Sequence, residues 1–456
     1  MVSTVKGTPL VAVMLIGWIP IVMTLFALLP ARRAVIASFL FAWLFLPIAS
    51  YEIKFFPDYN KMSATFVGVL AAALVFDPAR VLQFRPKWID LPVLVFCLCP
   101  IASSLTNGLG LYDGLTAALV KVIHWGSAYF IGRIYFNDLK AMRELAIGIF
   151  IGGLIYVPLC LFEIRMSPQL HNIVYGYHPH VFAQSYRSGG WRPVVFMNHG
   201  LMVGMWMTAA SLTGLWLWQT GSLRHVFGVP MIILVPVLLA TTVLVKSAGA
   251  LVLLLAGMSI LFFLKWRPTS LPIVALAVVS VLYILLRGSG LWSGDQLVGL
   301  AGATLGDQRA SSLQTRMINE DLLARRARQR PLFGWGGWGR NRVVDDSGRD
   351  VVITDGLWII VLGVNGVIGL AAFTAMLLLP PVLLRKRVDV RLWSHPAVAP
   401  AVCFATILAL WMIDNLLNAM GNPIFLLMLG GLAGLNTLRV RRRVMRPAPT
   451  QRPAPA

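Results

Sequence analysis

The chain of 456 residues is 58% hydrophobic and only 12% charged, with a mean hydropathy of +0.76. Soluble domains run at about 45–50% apolar and about 25% charged, so a disordered chain, a disulfide-stapled secreted module and a conventional cytosolic enzyme are excluded. The net charge of +21 would suggest nucleic acid on a soluble chain, but here the basic residues sit between long apolar runs, which marks a polytopic membrane protein with no nucleic-acid partner.

An apolar stretch of about 20 residues crosses the roughly 30 Å hydrocarbon layer as a helix, because lipid offers free backbone groups no partner. Runs that qualify fully or nearly fall at about 9–30, 34–50, 62–76, 89–105, 114–132, 145–163, 196–218, 227–245, 247–264, 271–286, 356–380, 397–416 and 422–438. They predict an all-α bundle of about 12–13 membrane spans. Lys6 ahead of the first run gives it a signal-peptide look, but the run is too long and no A-x-A site follows, so it reads as retained. The organisation that results is a bundle over 1–163, a first outer segment 164–195, and spans over 196–286 with a short hairpin at Lys246. A large Arg-rich outer loop 287–355, spans over 356–438 and a basic, Pro-rich tail 439–456 complete it.

Lys and Arg counts in short loops set the orientation. Arg439, Arg441, Arg442, Arg443, Arg446 and Arg452 place the tail in the cytoplasm. Stepping back span by span puts the clusters around Arg32, Arg80, Arg133, Arg224, Lys265 and Arg387 on that side, 21 basic residues in all against seven in the short outer segments. Strict alternation puts the N-terminus outside, an arrangement that would also follow from one miscounted N-terminal span. Cys97, Cys99, Cys160 and Cys403 all lie inside apolar runs, which fits packing rather than disulfides or a zinc site.

The chemistry-bearing residues concentrate in the two outer segments. Residues 287–355 hold ten arginines and not one lysine. A solvated mixed-charge face is one reading, since eight carboxylates accompany them. Phosphate recognition is the other, because the planar guanidinium grips two phosphate oxygens at once. Residues 311–330 read as one basic amphipathic helix capped by Ser311 or Ser312, its stripe of Leu313, Met317, Leu322 and Leu323 suited to the acyl boundary. After Pro331 the turn LFGWGGWGR lets backbone approach a ligand, with Trp335 and Trp338 as interface anchors or sugar-stacking platforms.

Elsewhere, Lys121 lies at depth in the fifth run with His124 about one turn on, either facing the bundle interior or snorkelling outward. Asp414 and Asn415 are candidate partners for it. His199 beside Asn198 is placed to donate to a phosphate or to make a plain polar contact at a span start. His178 and His180 have metal-like spacing but no acidic companion, and no metal or cofactor is expected.

In combination these segments resemble the O-antigen ligase and polymerase family of bacterial envelope proteins. The residues that carry the likeness are Arg187, Gly190, Trp191 and Asn198 in the first segment, and Lys246, Ser247 and Gly249 in the hairpin. The large loop adds Arg316 leading to Pro331, Gly334 and Gly336, then Asp355 and Gly356 closing on Gly366 and Gly369. The resemblance implies a fold similar to the C-type membrane glycosyltransferases, located in the bacterial inner membrane. It also implies a glycan donor on undecaprenyl pyrophosphate, action at the periplasmic face, and other polysaccharide assembly and export proteins as possible partners. This chain departs from the family in having Lys246 where an Arg is usual and Asp355 where ligases carry a His, which tilts the expectation toward a polymerase. The expected roles are Arg187, Arg316 and Lys246 on the pyrophosphate, with Arg192, His199, Arg340 and Lys121 as further substrate contacts. Asp355 is the base for the acceptor hydroxyl, or equally a helix N-cap beside Thr354. A ligase acting on lipid A core and a lipid-linked glycan flippase are the alternatives.

Overall fold

The computed structural model describes residues 7–53, 56–187, 189–337 and 339–435. Lys6, Lys54, Trp338 and the basic segment 439–456 lie outside the described residues, as does the side chain of Arg309.

In chain order the helices α1 (Leu10–Ile16), α2 (Trp18–Leu28) and α3 (Ala31–Phe45) precede a hairpin of β1 (Ser50–Ile53) and β2 (Phe56–Asn60). Next come α4 (Lys61–Phe76), α5 (Pro78–Leu82), α6 (Leu91–Thr106), α7 (Leu111–Lys121), one π-helical turn (Val122–Gly126) and α8 (Ser127–Tyr135). Helices α9 (Leu139–Met166) and α10 (Leu170–Tyr175) lead to the hairpin β3 (Tyr186–Arg187) and β4 (Gly190–Trp191), then to α11 (Gly200–Gln219). The short strands β5 (His225–Val226) and β6 (Val229–Pro230) join it to α12 (Met231–Leu244), α13 (Ala248–Trp266) and α14 (Leu271–Ser289). The large loop folds as α15 (Asp295–Leu305) and α16 (Asp307–Arg328), and the chain ends on α17 (Leu357–Arg387), α18 (Ala399–Leu417) and α19 (Pro423–Gly434).

Among the described residues, eight helical stretches are long and apolar enough to cross a membrane, or nine if the α1–α2 pair, bent by 43°, counts as one. This is the helical, multi-pass architecture that composition predicted, but not 12–13 full spans. Every predicted run holds a helix, yet α3, α4, α12 and α19 have only 15, 16, 14 and 12 residues, roughly 18–24 Å of rise. Proline sets most of these limits: Leu46 turns extended ahead of Pro47, α4 stops at Asp77 before Pro78, and α12 and α19 start at Pro230 and Pro423. Helices α11 and α18 form the centre, with 89% and 83% of their apolar windows buried. Helices α8 and α19 touch backbone to backbone: a Cβ on Gly430 would lie 2.0 Å from the Tyr129 carbonyl.

The bundle has two chemically distinct ends. At one end, cations meet carboxylates and helix C-terminal carbonyls: Arg32 pairs with Asp138, and Arg133 Nε lies 2.9 Å from Asp90. There too, Lys265 donates to the Gln219 carbonyl at 3.0 Å, and Arg387 donates to Leu432 and Ala433. These clusters are the ones that the charge bias grouped together. The opposite end carries 164–195, the Lys246 turn and the large loop. Thr8 donates to the Tyr175 carbonyl at 3.0 Å, so the start of α1 belongs to that same end.

The large loop corrects the sequence reading. The single helix expected over 311–330 begins at Asp307 behind Gly306, has no side-chain cap, and is preceded by α15. Its stripe is not left for lipid. Met317 and Leu323 are buried, and Tyr283 of α14 contacts Met317. Beside them the Glu320 carboxylate accepts from Tyr283 (2.8 Å), Arg287 (3.2 Å) and Trp358 (3.3 Å), which straps α16 to α14 and α17.

Candidate functional site

The first segment is organised by one buried carboxylate. Glu163, near the end of α9, accepts from the backbone N–H of Leu170 (2.9 Å), Val194 (2.7 Å) and Val195 (2.8 Å). This grip clamps both ends of 170–195 to the bundle. Between them the β3–β4 hairpin turns at Gly189 (φ +72°), pairs Arg187 with Gly190, and leaves the Arg187 side chain exposed. Trp191 is held edge-on by Tyr186 at 5.0 Å.

Lys246 occupies the left-handed region (φ +57°), where a non-glycine residue costs on the order of 1–3 kcal/mol. Arg192 holds it there, donating from Nε (3.3 Å) and Nη2 (3.2 Å) to the Lys246 carbonyl. The Lys246 ammonium lies against the hairpin, 2.1 Å from where a Cβ on Gly190 would stand. Arg192 is thus a buried residue that positions Lys246.

His199 caps α11: its Nδ1 accepts from the Leu201 N–H at 3.0 Å. Burial, then His180, Arg192, Arg187 and Arg316 in that order, push its pKa down to about 4. The ring is neutral at pH 7, and because Nδ1 accepts, Nε2 carries the proton and can donate. The His180 ring packs edge-on against it at 4.7 Å. His180 is thus a neighbour of this histidine, and among the described residues no three His, Cys, Asp or Glu side chains converge as metal ligands.

Arg316, on α16, reaches the same place from the other outer segment. Its Nη1 donates to the Leu417 carbonyl (3.1 Å) and to Asn418 Oδ1 (3.4 Å), and its Nε lies 3.3 Å from Asp355 Oδ2. Asn418 in turn donates to Asp414 at 2.6 Å. Asp355 does not cap α17. The cap position is Gly356, with no side-chain hydrogen bond, so the capping role of Asp355 or Thr354 is set aside. The fold therefore gathers Arg187, Lys246, His199, Arg316 and Asp355 at one end of the bundle. Nothing in the sequence signalled Glu163, Leu417 or Asn418 as their supports.

Two predicted contacts fall elsewhere. Lys121 sits on α7 just before the π turn, its Nζ 4.4 Å from the Phe96 ring, with no ion pair to Asp414 among the described residues. Asp414 answers to Asn418 and Arg316 instead. Arg340 belongs to a separate cluster around Trp335, in the glycine-rich turn, where Trp335 is held by protein contacts. Of the remaining loop arginines, Arg287 pairs with Glu320 and Asp321, Arg342 with Asp350, and Arg349 with Asp345.

The turn after α16 is inserted into α17. Gly366 breaks that helix (φ +66°), and the broken turn pairs with the loop: Trp335 N–H to Gly363 O (2.8 Å), Gly336 N–H to Val364 O (3.0 Å), and Val367 N–H to Pro331 O (2.8 Å). Asn107 closes the junction by donating to the Gly334 carbonyl at 2.8 Å.

The sequence matches no protein-family profile and no curated protein significantly.

Proposed function

We propose that the chain is a metal-independent membrane glycosyltransferase of the inner membrane. In this reading it polymerises undecaprenyl-pyrophosphate-linked repeat units of an O-antigen or exopolysaccharide at the periplasmic face, with its C-terminus in the cytoplasm. The observation that carries the reading is the meeting of Arg187 and Arg316, from two outer segments, around a neutral His199, with Asp355 paired to Arg316.

The chemistry follows from that arrangement. The acceptor hydroxyl oxygen attacks the anomeric carbon of the donor glycan and forms the new glycosidic bond. The bond from that carbon to the pyrophosphate oxygen breaks, and the electron pair leaves with undecaprenyl pyrophosphate. Arg187, Arg316, Lys246 and the His199 Nε2–H stabilise the charge growing on that leaving group. Asp355 takes the hydroxyl proton. The Arg316–Asp355 pair keeps base and leaving-group clamp adjacent, as a single-step transfer requires.

The flippase alternative rests on the broken helix, because transporters use unwound backbone in a span to bind cargo. In this chain the carbonyls of Gly363, Val364 and Asn365 already accept from Trp335, Gly336 and Cys99, which gives the break a structural use within the protein. The ligase alternative differs only in the acceptor. Reconstitution with an undecaprenyl-pyrophosphate oligosaccharide separates all three: chain growth supports the polymerase, transfer to lipid A core the ligase, and movement across the bilayer without a new glycosidic bond the transporter.

A further inference from the structure

Five arginines of the large loop, Arg325, Arg326, Arg328, Arg330 and Arg340, form no ion pair among the described residues. Arg287, Arg342 and Arg349 are each held by an acid, and Arg328 donates to the Gly288 carbonyl. Three of the five converge on Trp335: Arg326 and Arg330 on its indole, and Arg340 on its backbone carbonyl. The Arg326 guanidinium lies 3.5 Å from the Trp335 ring centroid and that of Arg330 5.5 Å from it, while Arg340 Nε donates to the Trp335 carbonyl at 3.2 Å. Trp335 Nε1 donates to the Arg326 carbonyl at 2.9 Å, which fixes the indole on the helix end. The platform is rigid, because the turn that bears Trp335 is paired with α17 and held by Asn107.

Like charges held together in this way repel, and burial and the nearby Arg340 both push the Arg326 pKa down. Arg326 Nε is buried with no hydrogen-bond partner. An oxyanion with several acceptor oxygens, met by the other guanidinium nitrogens, would offset the repulsion.

We propose that Arg326, Arg330 and Arg340 around Trp335 form a second oxyanion site, specific for phosphate-type groups. Ten residues along α16 separate Arg326 from Arg316, which is about 15 Å of helix, so this site is distinct from the Arg316–Asp355 centre. The inference does not rest on the glycan-transfer reading. The phosphate comes either from a bilayer headgroup or from a soluble or substrate-borne anion.

The test uses the full chain labelled with 5-fluorotryptophan, with the Trp335 fluorine signal assigned by its loss in Trp335→Phe. Titration of detergent-solubilised protein with inorganic phosphate should shift the Trp335 signal saturably. Arg326→Gln/Arg340→Gln should weaken half-saturation by about tenfold or more, Arg340→Gln alone should weaken it less, and Arg316→Gln should leave it in place. The other indole signals report whether each variant is folded. In nanodiscs, a Trp335 signal already at its phosphate-bound position in phosphatidylglycerol, but not in phosphatidylcholine, identifies a headgroup as the ligand. A signal that stays phosphate-responsive in both identifies a soluble or substrate-borne anion. A Trp335 signal unmoved by phosphate in folded wild-type protein, or moved equally in the folded double variant, overturns the proposal.

Discussion

Arg316 Nε and Asp355 Oδ2 lie 3.3 Å apart, although 38 residues, the rest of α16 and the loop after it, separate them in the chain. Both side chains are partly open to solvent, at 25% and 37% exposure, so the pair contributes only about 0–1 kcal/mol to stability. Asp355→Asn should therefore barely move the melting temperature and Arg316→Gln, which also loses its bonds to Leu417 and Asn418, should lower it more, while each abolishes polymer in cells at unchanged protein level. A large fall in melting temperature for Asp355→Asn would make the pair structural instead.

His199 gives a pH signature. Its folded pKa is lowered to about 4 from an ordinary 6.5, so below pH 6.5 the unfolded state takes up a proton that the native state refuses. Its effect is absent at neutral pH, and stability is lost as pH falls from about 6.5 toward 4, at up to about 1.4 kcal/mol per pH unit. Melting curves of wild type and His199→Gln across this range should diverge, with the wild type more acid-sensitive. Parallel curves would count against a buried neutral histidine.

Glu163 positions the hairpin without touching substrate. Glu163→Gln removes charge-assisted acceptance from three buried N–H groups and should cost about 1.5–3 kcal/mol. Limited proteolysis should then cut within 170–195 well before the rest of the chain. Cleavage there at the wild-type rate would show that other contacts hold the segment.

The crossing of the 331–336 turn with α17 depends on glycine. A Cβ on Gly366 would sit 2.3 Å from the Leu332 carbonyl, at φ +66°, whereas one on Gly421 meets nothing within 4 Å. Gly366→Ala should lose roughly 2–6 kcal/mol from strain and overlap combined, against less than about 1 kcal/mol for Gly421→Ala. Denaturation of the two variants in one detergent compares them directly.

Orientation is checked by labelling with a membrane-impermeant maleimide, since the four native cysteines are buried. Asp346→Cys should react in intact cells, and Arg85→Cys only after permeabilisation.

The sequence made legible whatever depends on local composition. Apolar runs located the long helices of the bundle, and the grouping of basic residues survives in contacts such as Arg133–Asp90 and Lys265–Gln219. Span lengths were less legible, because Pro47 and Pro230 lie inside apolar runs and shorten the helices there. Arg187, Arg316 and Asp355 were singled out by residue type and loop position. Their supports are backbone groups and a buried carboxylate, which leave no pattern in the chain. The contacts of Arg192 and Lys121 were not legible for the same reason: a cation in a loop or a span looks alike whether it holds a carbonyl, an aromatic ring or a substrate.

The most direct measurement is a single-turnover assay in proteoliposomes carrying an undecaprenyl-pyrophosphate oligosaccharide, counting undecaprenyl pyrophosphate released and glycosidic bonds formed. Wild-type protein should give the two in equal amounts, without added metal, and folded Asp355→Asn should give neither. Equal bond formation by wild type and Asp355→Asn, or donor crossing the bilayer with no bond formed by either, would contradict a transferase centred on Asp355 and Arg316.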